Sequence, residues 1–515
     1  VYKKLTLRTR IWIVAGAAAA VAAVILFFFL SIPIRSETLK ERIIVLLSDE
    51  LESEVSIDTL EGRVFPRVSV SGSGVVIRQK GRTDVPPMIT IDRFEIHGTL
   101  RDLLKQPRHV AEVRLEGLQV HIPPGDGKDN DEQSGIHNRE QICKLQQVVI
   151  DRFEAPNTIV TLIPKRAGKA AKVFTVHHLV MDSLGINETI PYIATLTNPV
   201  PQGQIETSGT FGPWNVAYPA RTPVTGKYVF ANANLDTIEG LAGVLSSTGE
   251  FSGPLNRIAV EGTTETPNFQ LDIGGAAVPL KTRFSALVDG SDGDTYLKQV
   301  DATFLSTEVS ASGAVVGFEG VRGRQVDLDV MIQNGRIEDV LKLAINPEQP
   351  VLAGTIHIRA KLVIPPEQRT VIERLKLRGD FGLTRAKFAD PGVQARLVGL
   401  SRRGRGMRSE PVANVVSNLR GRIILENGTA TFPQLTFAVP GAEIALAGRY
   451  AIRSEALDFR GRLSLQATLS QAVGGVRGFF LKAFDPFFKK PGAGTVLPIR
   501  IQGTRSAPKF GLDLF

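Results

Sequence analysis

The stretch Leu457-Asp-Phe459-Arg-Gly461-Arg-Leu463-Ser-Leu465 decides the fold. Every second residue is apolar or glycine, and the residues between are Asp, Arg, Arg and Ser. A period of two is the signature of a β-strand with one wet face and one dry face. The segment upstream repeats it: Ile444-Ala-Leu446-Ala leads into Gly448, Tyr450 and Ile452. Further back, Ile356-His-Ile358-Arg-Ala360-Lys-Leu362, Phe269-Gln-Leu271-Asp-Ile273, Val68-Ser-Val70-Ser and Val55-Ser-Ile57-Asp follow the same rule. Gly, Pro, Asn and Asp separate these runs, as turns require. Strands are therefore expected from about residue 55 to the end. The expected dry face carries Phe269, Leu271, Ile273, Ile356, Ile358, Leu362, Ile444, Leu446, Leu457, Phe459, Leu463 and Leu465.

What that face is dry against stays open on the alternation alone. One reading is a packed β-sandwich or β-helix whose apolar face is its own core. The other is a trough lined by small and medium apolar side chains. Two features favour the trough. The alternation runs for most of the chain, and tryptophan occurs only at Trp12 and Trp214. A one-residue slip would invert every assignment of faces.

Two short repeats run through the strands. Gly262-Thr-Thr-Glu-Thr-Pro267-Asn-Phe269-Gln-Leu271-Asp272 matches Gly503-Thr-Arg-Ser-Ala-Pro508-Lys-Phe510-Gly-Leu512-Asp513. The expected structure of both is a strand, a turn set by Gly and Pro, and a second strand. Leu419-Arg-Gly-Arg-Ile423 echoes Phe459-Arg-Gly-Arg-Leu463. Such repetition favours a sheet grown by adding similar units.

Helices are expected in few places. Ser36 to Glu52 has Leu39, Ile43, Leu47 and Leu51 on one face and Thr38 with Glu41 in capping-box spacing. It is expected to plug the start of the following domain. Arg101 to Lys105 and Ile337 to Ala344 read as a turn or two each. Residues 471–490 form an amphipathic segment with Phe480, Phe484, Phe487 and Phe488 on one side and Lys482 and Lys489 beside them. That composition suits a membrane interface, or a lid on the end of the sheet. Two loops stand out, the polar Pro123 to Asn138 and the basic Leu400 to Arg408, and both read as solvated loops, with lipid-phosphate contact by Arg402, Arg403 and Arg405 as the alternative for the second.

Ahead of the strands, residues 11–32 read IWIVAGAAAAVAAVILFFFLSI without a charge. As a helix this is about 33 Å long, enough to span a bilayer core. The Ser31-Ile32-Pro33-Ile34-Arg35 that follows is a poor cleavage site, so an uncleaved anchor over 11–34 is expected. Lys3, Lys4, Arg8 and Arg10 place residues 1–10 in the cytoplasm by the positive-inside rule. The remainder is then extracytoplasmic, in the periplasm of a bacterium.

The 515-residue chain carries net charge +9, 43% apolar and 22% charged residues. Four of those charges lie in the first ten positions, so the body carries no strong nucleic-acid footprint. The single cysteine, Cys143, excludes an internal disulfide framework and a Cys-built zinc site. His97, His109, His121, His137, His177, His178 and His357 have no ligand spacing. Asp126, Asp129 and Asp131, and Asp289, Asp292 and Asp294, lack the EF-hand order. Asp380-Phe-Gly382 spells a kinase tripeptide without the rest of that machinery. Neither an enzyme nor a cofactor is expected.

The residues resemble the AsmA-like family of anchored periplasmic proteins. The match begins with the anchor, the helix, and Val55-Ser-Ile57-Asp-Thr-Leu60-Glu-Gly62-Arg-Val-Phe65-Pro66-Arg-Val68-Ser-Val70-Ser-Gly72. It resumes over Leu419 to Phe437, Gly441 to Leu465 and Leu497 to Thr504 with Pro508 and Phe510. The resemblance implies a mainly β fold. An N-terminal transmembrane helix would precede a long curled, antiparallel-rich β-sheet forming an open apolar groove, with a few short amphipathic helices. The expected regions are the basic tail 1–10, the anchor 11–34, the helix 35–54, a β-groove over 55–410 and a C-terminal β region over 411–515. The implied partner is phospholipid, moved between inner and outer membranes in support of outer-membrane integrity. The far end would meet the outer membrane or a protein in it. The alternative is a non-transporting periplasmic scaffold that regulates outer-membrane protein assembly.

Overall fold

The computed structural model describes residues 36–50, 53–63, 68–79, 86–103, 108–122, 148–162, 172–185, 187–215, 218–272, 275–290, 293–318, 321, 323–345, 352–367, 369–389, 391–406, 416–467, 494–504 and 507–513. The fold is mainly β. Twenty-seven strands among the described residues hydrogen-bond into one large mixed sheet. The chain divides into two compact units. The first holds residues up to 234 together with 246–262 and 287–293. The second holds 235–245, 263–286 and 294 onward.

The first unit opens with helix α1 (Ser36–Glu50) and strands β1 (Ser53–Ser56), β2 (Thr59–Arg63), β3 (Val68–Gln79), β4 (Ile89–Gly98), β5 (Arg108–Glu116), β6 (Gln119–Ile122), β7 (Val148–Glu154), β8 (Thr158–Leu162) and β9 (Lys172–Leu184). Strands β10 (Ile190–Pro199), β11 (Gln202–Phe211) and β12 (Pro223–Asn234) continue it as an antiparallel meander. β1 and β2 both pair antiparallel with β3, so they are two halves of one broken strand. β5 and β6 are likewise two halves, broken at Gly117, whose φ is +66°. They run parallel to β7 and β8. A parallel pair needs a long crossover, and the chain between 122 and 148 provides it.

This start of the chain is packed solid. Ile43 and Leu47, one helical turn apart on α1, are both fully buried against Val70, Val75, Ile77, Ile89, Ile96, Val110 and Val113. The Val55 N–H donates to Ser48 Oγ at 3.2 Å, joining the helix to β1. The helix therefore plugs the start of the sheet, as its periodicity predicts. Its first turn includes Thr38, so the expected capping box is not the helix start.

Strands β13 (Leu241–Ala242), β14 (Val244–Pro254), β15 (Ile258–Leu271) and β16 (Val278–Val288) follow. The second unit continues with β17 (Thr295–Phe304), β18 (Thr307–Gly317), β19 (Arg324–Arg336), β20 (Leu352–Ile364), β21 (Lys376–Phe388), β22 (Ser417–Glu426), β23 (Thr429–Val439), β24 (Ala442–Ala451), β25 (Ala456–Leu465), β26 (Thr495–Thr504) and β27 (Pro508–Leu512). From β17 to β27 each strand pairs antiparallel with the next. The kinase-like Asp380 to Gly382 lies inside β21.

The short helices are α2 (Leu100–Leu103), α3 (Ile337–Ile345), α4 (Val371–Arg374) and α5 (Pro391–Gly404). The last corrects the sequence reading. Leu400 to Gly404, expected in a loop, form the final turn of α5, because Leu397, Val398 and Leu400 find an apolar surface to cover. The longer repeat is corrected as well. The Gly503 copy turns, with Gly503 at φ +100° and paired to Pro508. The Gly262 copy runs straight through β15. Its Thr263-Thr-Glu-Thr266 are strand-forming residues, and Thr264 Oγ1 bonds Thr282 Oγ1 at 2.6 Å.

No helix among the described residues is long and apolar enough to cross a membrane. The expected anchor over 11–34 lies outside the described residues, as do Cys143, His137, Ile273, Phe480, Lys482, Phe484, Phe487, Phe488 and Lys489.

Candidate functional site

The strand registers of the second unit bring the expected apolar residues into four rows on one face. The first row is Ile356, Leu383, Leu419, Phe437, Ile444, Leu463 and Leu497, each opposite the next across β20 to β26. The second is Ile358, Phe381, Gly421, Leu435, Leu446, Gly461 and Ile499. The third contains Ala360, Gly379 and Ile423, and after a bulge Phe432, Gly448, Phe459 and Ile501. The fourth is Leu362, Leu377, Leu425, Ala430, Tyr450, Leu457 and Gly503. Leu465 extends the face beyond the first row, opposite Ala442. β19 continues three of the rows on the other side, with Ile332 opposite Ile358, Val330 opposite Ala360 and Leu328 opposite Leu362.

This face is covered only in part. Ile358, Leu362, Ile444, Leu446, Leu457 and Leu463 remain half-buried. That contrasts with the first unit, where Val70, Val75, Ile89 and Ile96 are within 1% of full burial. Ile356, Ala360, Leu383, Leu425, Ala430 and Phe459 are the buried members of the rows, and two helices cover part of the first row. At one end of the strands, Val340 and Leu341 of α3 pack on Ile332, Ile356, Leu383 and Ala386. At the same strand end, α5 sets Leu397, Val398 and Leu400 against Val439, Ala442 and Leu465. Both helices border the first row. The α3 end is pinned by Asp339, whose Oδ2 accepts the Ser306 N–H at 3.0 Å and the Thr307 hydroxyl at 2.8 Å.

Glycines on this face make room for aromatic rings. A Cβ on Gly448 would stand 2.6 Å from Phe459 Cδ1, and one on Gly421 would stand 3.1 Å from Phe381 Cζ. Phe381, Phe432 and Phe459 contact in sequence, with centroids 6.4 Å and 5.7 Å apart. The floor there is a run of rings rather than a set of sockets.

Both Arg-Gly-Arg motifs obey the same geometry. Gly421 and Gly461 belong to the apolar face. Arg420, Arg422, Arg460 and Arg462 are exposed on the other. Asp380 accepts from Arg422 at 2.9 Å, and Glu426 from Arg378 at 2.7 Å. The Arg378 guanidinium holds the Glu426 carboxyl below the usual carboxylate range, and the Asp327 hydrogen bond raises Lys361. These pairs are solvent-exposed and add little stability.

Phe269 and Leu271 lie on β15, outside the seven strands of these rows. They are half-buried at the end of β15, where Leu271 pairs with Leu241 of β13. The exposed Pro267 and Asn268 precede them.

His109 Nδ1 lies 2.7 Å from Asp151 Oδ1 on exposed strand faces. Asp294, one of the calcium-like carboxylates, accepts from the Gly317 N–H and from Arg324 instead. Among the described residues no group of three or more His, Cys, Asp and Glu is placed to hold a metal ion.

No protein-family model matches the chain, and no curated protein matches it in sequence.

Proposed function

We propose that the second unit's apolar face is one wall of an open groove that shelters phospholipid acyl chains. The observation that carries this is the half-buried state of rows so uniformly apolar. A sheet face that served only as core would be sealed, as it is beneath α1 at the start of the first unit.

The energetics suit the task. Burying a methylene is worth about 0.8 kcal/mol, so two sixteen-carbon tails in water cost on the order of 25 kcal/mol. A surface of Leu, Ile, Val and Phe removes most of that cost. Most of the head group stays in water at the open side. The uncharged segment 11–32 supports an inner-membrane anchor, with residues 1–10 cytoplasmic and the bulk in the periplasm. Together with the AsmA-like resemblance, this supports lipid movement between the inner and outer membranes. The far end would contact the outer membrane or a protein in it.

The test is lipid content. Full-length protein extracted in mild detergent is expected to carry phospholipid, read by native mass spectrometry. Leu463→Asp places a charge in the first row of a half-buried face and is expected to lower the lipid count several-fold. Phe459→Asp, within the ring contact, is expected to do the same. Wild-type protein that emerges free of lipid would replace the groove with the scaffold reading.

A further inference from the structure

We infer that Arg405 is an anion anchor at the helical border of this face, taking the phosphate of a diacyl lipid head group. The inference rests on the groove reading and deepens it.

Arg405 follows α5 directly. Its N–H donates to Ser401 O at 3.1 Å, and the next residue, Gly406 at φ +71°, closes the helix by donating to Arg403 O at 3.0 Å. The helix end is bolted to the sheet border. The Ser401 hydroxyl donates to Pro440 O at 2.7 Å, and the Ala467 N–H donates to Gly404 O at 2.7 Å. Gly441, at φ +86°, lies between β23 and β24. A Cβ there would stand 2.6 Å from Arg405 Cγ, so the arginine stem runs over this turn. The turn is where the rows begin: Val439 and Ala442 flank it, and Ile444 follows.

The guanidinium is the unusual part. Nε and Nη2 are both buried, and among the described residues neither has an acceptor. These two nitrogens form one edge of the guanidinium. That edge gives two parallel hydrogen bonds to a phosphate or carboxylate. An arginine that served only the helix C-terminus would spend its donors on carbonyls. Buried donors without acceptors are unfavourable, so an anionic oxygen pair completes the site. Arg402 and Arg403 on the same turn, half-buried and exposed, add positive potential. The apolar rows that start at the same border select an anion carrying hydrocarbon over a free one.

The experiment compares two lipids differing only by the head group. Full-length protein in detergent is offered dioleoylphosphatidylglycerol and dioleoylglycerol in equal amounts, and bound lipid is read by native mass spectrometry. Wild type is expected to prefer the phospholipid about tenfold, the worth of a charged bidentate contact. Arg405→Gln is expected to bring the ratio near one while the diacylglycerol load stays as in wild type. Arg405→Lys, which keeps the charge and loses the fork, is expected to fall between. It carries the test if the glutamine variant fails to fold. Inorganic phosphate is expected to compete with the phospholipid and leave diacylglycerol in place. A wild-type preference that survives in both variants overturns the anchor but leaves the groove. Phosphate that binds through Arg405 without affecting either lipid marks a free-anion site and also overturns it. Wild type that takes up neither lipid removes the groove reading, and the anchor with it.

Discussion

Single residues on these strands follow one division of labour: glycine makes space and an aromatic ring fills it. Tyr192 and Phe251 meet over Gly226, where a Cβ would stand 2.8 Å and 2.7 Å from them, and Tyr228 lies over Gly249. Burial pushes both tyrosine hydroxyls up from the ordinary phenol value, offset in part by hydrogen bonds to Thr207 and Ser247. A folded-state value above the unfolded one, near pH 10, leaves stability intact below that pH. The contribution is lost as pH rises through the folded-state value. Absorbance titration at alkaline pH is expected to show Tyr192 and Tyr228 ionising above the ordinary phenol range. Thr207→Ala and Ser247→Ala remove the offsetting hydrogen bonds and are expected to push Tyr192 and Tyr228, respectively, further up. A titration with no phenol ionising above the ordinary range would contradict the burial of these two.

Elements were legible where one period ruled them. The strands from Ile356 to Leu362 and from Leu457 to Leu465 fall where the alternation puts them, because each has one exposed face and one apolar face. α3 was legible from Val340, Leu341 and Leu343 at helical spacing. α5 was not, although Asp390-Pro391 is a fair helix start. Gly392 and Gly399 dilute its pattern, and Arg402, Arg403 and Arg405 read as a solvated loop until the border of the sheet is in view. The register of Phe269 was also hidden, since the exposed Pro267 and Asn268 interrupt the alternation before it. What fastens each helix is polar and long-range, and no local pattern announces it. Asp339→Ala removes the acceptor of the Ser306 N–H and the buried Thr307 hydroxyl. It is expected to cost about 1–3 kcal/mol in chemical denaturation. Asp339→Asn, which keeps one acceptor oxygen, should recover part of that loss.

At the scale of the molecule, the start of the first unit and the strands β20 to β26 of the second treat the same kind of residue differently. In the first, Ile77, Ile96, Val110 and Val113 are sealed beneath α1 and its neighbouring strands. In the second, Ile444 and Leu446 hold an equivalent place in the alternation and stay half-buried. Stability measurements on truncations should separate the two. Ile96→Ala leaves a cavity and is expected to cost about 2–5 kcal/mol. Leu446→Ala, on a face already open on one side, is expected to cost about 1 kcal/mol, because little packing is lost. Equal losses at both positions would mean that the second face is a core after all. Composition alone held this distinction back, since alternation reports which residues avoid water and not what replaces it.

The four rows cross seven strands with apolar side chains or glycine at every matched position. A surface without sockets offers a hydrocarbon guest nearly the same embrace at each step along it. Motion across such terrain meets friction rather than a series of locks. On the proposed groove reading, cargo is pushed along by newcomers entering behind it, the last one in displacing the first one out.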